Sequence, residues 1–244
     1  MTFFLDVFYG IVNLALFFFI SQTFGHVRPE YLHGAPTYFA FAAVGFAVTV
    51  VIDSAATTLA GSIRGEQLAG TLEALLNQPI TVAELAFGLA AYPFIFALVR
   101  AVMYLVVAGF WIHLDVASTS ALGLPVMLLT AGAAFSGLGV LLGAMVLLVK
   151  RGQVVVSMLI FGMGFVSGAF FPVPVLPDWL RWLGTVVPTR FAFDGLRAAM
   201  FGGHPWAIDA LALLGYGVVG IPLAVLAFDG ALRLARRTGS LSQY

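Results

Sequence analysis

The sequence predicts an all-α integral membrane protein of about six transmembrane helices, with a cytoplasmic helix after the second span and an extracellular re-entrant helical insert before the last. Three observations predict it. Of 244 residues, 61% are hydrophobic and only 9% are charged, against about a quarter charged in a typical soluble domain. The apolar residues come in blocks of roughly 20 or more, the length that crosses a hydrocarbon core of ~30 Å. Those blocks lack the apolar–polar alternation of barrel strands, so helices are the simplest way to satisfy the backbone in lipid.

Span one is expected from about Phe3 to Phe24. No Lys or Arg precedes Asp6 and the block is too long for the core of a signal peptide, so it reads as a span. An outer loop from Gly25 to Pro36 follows; its His26 and His33 lack the spacing of a metal site. Span two runs from Tyr38 to about Ile63, span three from about Leu85 to Trp111, and span four from Ala121 to Val149. Span five covers Val154 to about Phe171, and span six about Ile208 to Phe228. The chain reads as one membrane domain, 1–244. Gly139/Gly143 and Gly164/Gly168 are small-residue pairs that let helices approach closely in lipid, within one subunit or between two.

Orientation follows from the basic residues. Arg64, Lys150, Arg151, Arg233, Arg236 and Arg237 collect on one side; Arg28, Arg181, Arg190 and Arg197 lie on the other. Both termini are therefore expected in the cytoplasm. Trp111, Trp179, Trp182 and Trp206 all fall at expected outer ends, where interfacial aromatics concentrate.

The polar stretch between spans two and three, residues 64–82, is the first motif. Leu68, Leu72, Leu75 and Leu76 stand at i, i+4, i+7 and i+8, the spacing of one helical face, while Glu66, Gln67, Glu73 and Asn77 take other faces. Pro79 ends this expected helix, and Thr81 with Glu84 reads as a capping box for span three. The string GEQLAGTLEALLNQPIT resembles the cytoplasmic coupling segment of type-2 ABC-transporter permeases, through Glu66, Gly70, Thr71, Leu72, Glu73, Leu75, Leu76 and Pro79.

The second motif, residues 172–205, lies before span six. Pro172, Pro174 and Pro177 break the chain at the membrane face. A short helix follows with Trp179, Trp182, Leu183 and Val186 on one side and Asp178 and Arg181 on the other. Pro188 breaks it, and a second helix carries Arg190–Asp194 and Asp194–Arg197 at i,i+4 and i,i+3. Both are too short to span, so they should dip into the outer interface and return. This stretch too resembles the permease family, through Phe171, Pro172, Leu176, Pro177, Leu180, Leu183, Pro188, Asp194, Gly195, Leu196 and Arg197, with Thr189 one place early. The Gly239–Tyr244 tail resembles those of a bacterial branch. The family's usual basic helix before span one is not matched, since only Met1 and Thr2 precede it.

Two charges, Asp53 and Arg100, fall inside spans two and three. A lone charge at the bilayer centre costs roughly 2.5–3.5 kcal/mol on insertion scales, so the two are expected to neutralise each other in the membrane. A substrate contact is the competing role.

Several functions are disfavoured by the residues present. Zero net charge gives no basic surface for nucleic acid. The absence of cysteine removes disulfides and thiolate metal sites. The single lysine, Lys150, is followed by Arg151 and Gly152, so it cannot belong to a phosphate-binding loop. With only Asp53 and Arg100 as candidates for a cluster of catalytic groups at one depth, a membrane-embedded enzyme is poorly supported, and an ion-coupled carrier would want carboxylates in several spans and broken helices at the midplane. The resemblance implies the transmembrane subunit of an ATP-driven exporter in a prokaryotic inner membrane. It further implies that ATP and magnesium are bound by a separate ATPase and that a second permease chain completes the pore; the Phe- and Leu-rich spans suit a lipid-like, amphipathic or drug-like solute better than a bare sugar. Export of a lipid-linked glycan is the alternative.

Overall fold

A computed structural model describes residues 2–23, 32, 34–71, 82–112, 119–148 and 152–238. Every regular element among them is a helix. In chain order these are α1 (Thr2–Thr23), α2 (Tyr38–Ala69), α3 (Val82–Ile112), α4 (Gly123–Leu148) and α5 (Gly152–Val166). After a 3-10 turn at Val173–Val175 come α6 (Asp178–Val186), α7 (Pro188–Phe201) and α8 (Trp206–Thr238). Among the described residues, four helices hold apolar runs long enough to cross a membrane: Phe4–Thr23, Tyr38–Thr57, Gly123–Val146 and Trp206–Leu234. Phe94–Phe110 of α3 and Val154–Val166 of α5 are shorter apolar runs. The protein is an all-α, multi-pass membrane protein.

The core forms where α4 packs between α8 and α2, with α3 on the far side of α2. Close approach is made by small residues. A Cβ on Gly139 would stand 2.4 Å from the Ala55 carbonyl oxygen of α2, and one on Gly137 would stand 3.0 Å from the backbone nitrogen of Ile221 in α8. Gly137 and Gly139 of α4 therefore serve packing within the chain. Gly168, by contrast, lies beyond the end of α5 with φ +79°, so Gly164/Gly168 is no helical pair. Span five accordingly ends at Val166 and not at Phe171, because the chain turns through Ser167 and Gly168.

Helix α2 is nearly all buried from Phe39 to Val48. Its 32 residues reach about 48 Å, well beyond a hydrocarbon core of ~30 Å. Helix α1 covers only the half of α2 near Tyr38: Phe18 meets Phe39 edge to face and Phe17 meets Phe46. The other ends of α2 and α3 run on past α1 toward the segment that joins them.

Candidate functional site

Three groups of residues merit attention, and the first is the end of α2. The helix continues six residues past the expected Ile63 and stops at Gly70, whose φ is +70°. The Thr71 amide donates to the Glu66 carbonyl at 3.0 Å, the six-to-one bond of a Schellman cap. The Thr71 hydroxyl also donates to the Glu66 carboxylate. Glu66, Gly70 and Thr71 thus have a local role, ending α2 and setting the exit direction of the chain. The expected amphipathic helix is corrected here, because Leu68 lies in α2 and the break at Gly70 separates it from Leu72, Leu75 and Leu76. Those three, with Glu73, Pro79 and Thr81, fall outside the described residues. Helix α3 begins at Val82 with Glu84 in its first turn.

The second group is the insert. Pro177 precedes α6 and Pro188 opens α7, each at a place where a missing N–H costs nothing. On α6 the Asp178–Arg181 pair (3.4 Å) lies opposite Trp179, Trp182, Leu183 and Val186, all exposed. Helix α7 is buried from Ala192 to Met200. Arg190 pairs with Asp194 at 3.3 Å, and Asp194 stands 3.8 Å from Arg197, as the spacing predicted.

What the spacing did not predict is the position of Arg197. Its side chain is 1% exposed. Its Nη2 donates to the carbonyls of Gly168 (2.9 Å), Ala169 (3.0 Å) and Phe41 (3.3 Å), and its guanidinium lies 3.5 Å from the Phe41 ring centroid. Burial pushes this guanidinium down to about 10, and the Asp194 carboxylate opposes the fall; the group stays cationic at neutral pH. One buried cation therefore ties α7, the α5 exit turn and α2 together. Nearby, Thr189 hydrogen-bonds Ser167 and the Met163 carbonyl, Tyr38 donates to the Phe170 carbonyl, and the Ser120 amide donates to the Ala199 carbonyl. Pro172 is buried beside this turn. His204 meets Asp209 at 2.6 Å where α7 hands over to α8, a contact across a tight turn that no helical spacing announced.

The third group corrects the intramembrane pair. Arg100 donates to Asp6 of α1 at 3.0 Å, and the Tyr104 hydroxyl donates to the Asp6 carbonyl at 2.9 Å. Asp53 is near enough to feel the Arg100 charge, but the direct ion pair belongs to Asp6. Sequence reasoning missed Asp6 because it stands at the start of span one, 94 positions from its partner. Asp53 lies 16 residues from the Ala69 end of α2 and Arg100 lies 18 from the Val82 end of α3, which are depths of about 24 and 27 Å in antiparallel helices.

The family model described as ABC-2 type transporter matches residues 1–201. The chain is also similar to a protein named ABC transporter G family member 20 from Dictyostelium discoideum, 25% identical over 201 residues, which cover 78% of this chain and 26% of that protein. The chain thus spans about a quarter of that relative's length. With the match reaching from α1 to the end of α7, this multi-pass membrane chain belongs to the ABC-2 type transporter family, as a permease component.

Proposed function

We propose that the chain is the transmembrane subunit of an ATP-driven exporter, carrying a lipid-like, amphipathic or drug-like solute outward by alternating access. Six spans, a second permease chain and a separate ATPase that binds ATP and magnesium complete the reading, in a prokaryotic inner membrane with both termini cytoplasmic. The observation that carries it is the reach of α2 and α3 beyond the start of α1. Asp6, four residues into α1, shares a level with Asp53 and Arg100, so α2 and α3 run about 24 Å further. They hold the 70–81 segment at their tip, and the Gly70 cap fixes its departure. A polar tip on two rigid helices suits a contact that receives motion from a soluble ATPase and tilts the spans. The Arg197 network ties the far end of α2 to the insert, so such a tilt would reach both.

The test is purification of the tagged chain from its native membrane. An ATPase subunit is expected to accompany it in stoichiometric amount. Glu73→Lys is expected to release that subunit or to uncouple hydrolysis from transport. Glu66→Lys is the less clean variant, because Glu66 also caps α2. Wild-type coupling in Glu73→Lys would exclude the 70–81 segment as the point of contact.

A further inference from the structure

Helix α2 is buried on nearly every side, and the stripe it leaves open is polar. Thr49 and Thr57 are half-buried, Asp53 between them is exposed, and Gly61 continues the line at the same four-residue spacing. The two threonine hydroxyls donate to the carbonyls of Gly45 and Asp53 in the preceding turns, which leaves their oxygens able to accept. A lipid-facing stripe would be apolar. A polar one inside a span faces water, a solute or another chain.

The charges decide among these. Arg100, the cation nearest Asp53, is already engaged by Asp6 at 3.0 Å. Two carboxylates therefore lie around one guanidinium. The Asp53 carboxylate has no ion pair within 4.0 Å among the described residues. A carboxylate in an apolar span with its natural partner taken is a site for an added cation.

We infer that Asp53 is the charge-recognising residue of the solute path, and that the solutes it takes are cationic amphiphiles. The ammonium or phosphonium group sits against Asp53, with Thr49 and Thr57 lining the approach, while the apolar body remains among the spans. This inference rests on the exporter reading and narrows its solute class.

The test measures binding of tetraphenylphosphonium to the purified full chain in a neutral detergent by equilibrium dialysis. Tetraphenylborate, of matched size and opposite charge, is the control. Wild type is expected to bind the cation and to discriminate against the anion. Asp53→Asn should weaken cation binding by about tenfold or more, since it removes one partner of a charge pair, whereas Asp53→Glu should retain it and guards against a folding defect. Arg100→Gln should leave binding undiminished, because it removes the competing cation. Equal affinity for the two ions, or unchanged cation binding in Asp53→Asn, overturns the inference. So does loss of binding in Asp53→Glu with the protein folded. Neither ion requires ATP to bind, so the outcome is separate from that of the co-purification. An ATPase that accompanies a chain indifferent to tetraphenylphosphonium leaves the exporter reading standing and removes the cation site.

Discussion

Gly45 of α2 faces the carbonyl oxygen of Ala169 so closely that a Cβ would stand 1.8 Å from it, and 3.1 Å from the Arg197 guanidinium. The contact joins α2 to the turn that leaves α5, and backbone carbonyls cannot swing aside as a side-chain end can. Gly45→Ala must therefore push the turn or the helix. Overpacking of this kind costs about 1–3 kcal/mol, and it displaces the carbonyl that Arg197 holds. A lowered thermal midpoint is expected for Gly45→Ala, with little change for Ala at Gly109, where no atom of the described residues lies within 4 Å. Equal midpoints for the two variants would show that the turn yields freely.

Arg197 tests the same junction from the other side. A lysine keeps the charge but lacks the planar fork that places one nitrogen among three carbonyls and the plane over Phe41. Arg197→Lys should fall short of wild type in stability, and Arg197→Met should fall further, because it leaves the Gly168 and Ala169 carbonyls buried without their donor. Each such orphan costs about 1–3 kcal/mol. Thermal unfolding in detergent measures the order. An Arg197→Met protein as stable as wild type would mean that the three bonds contribute nothing net.

Much of this architecture was legible in the sequence. Long apolar blocks announce spans because lipid leaves the backbone no alternative to helix, and Pro177 and Pro188 announce the insert because proline is accepted at helix starts. Arg190–Asp194 and Asp194–Arg197 follow from helical spacing alone. The role of Arg197 does not, since its acceptors are main-chain atoms of a turn and of α2, and no residue pattern records which carbonyl will point inward. Asp6 escaped for a related reason. Pairing was sought between the lone charges of spans two and three, whereas α1 turns its first residues onto α3. The end of α2 was misplaced despite a signal in plain view. The leucines from Leu68 to Leu76 keep helical period across Gly70, and a glycine followed by threonine after Glu66 is a termination signal that periodicity hid.

The Asp6–Arg100 contact is best measured as a double-mutant cycle. Asp6→Asn and Arg100→Gln should each destabilise, and the double variant should lose less than their sum, with a coupling of about 0.5–3 kcal/mol for groups in contact. The cycle of Asp53→Asn with Arg100→Gln should come closer to additivity, because Asp53 lacks the direct bond. Stronger coupling to Asp53 than to Asp6 would return the pair to the arrangement that span order alone suggests.

The cap at Gly70 gives a prediction that reaches from one dihedral angle to coupling. Among the described residues no atom lies within 4 Å of the place a Cβ would occupy, and the backbone at Gly70 is held at φ +70°. An L-residue in that conformation costs about 1–2 kcal/mol. The helix can relieve this by continuing past residue 70, which would rotate the whole 70–81 segment relative to α2 and α3. Gly70→Asn should be tolerated better, because asparagine visits the left-handed region more readily. Thr71→Val, which loses the hydroxyl bond to Glu66 but keeps the amide bond, should fall between the two. ATPase retention on the purified chain, compared across the three variants, is expected to rank Gly70→Asn above Thr71→Val and Thr71→Val above Gly70→Ala, while thermal midpoints change little. If Gly70→Ala retains the ATPase as wild type does, the direction in which the chain leaves α2 is not what the partner reads.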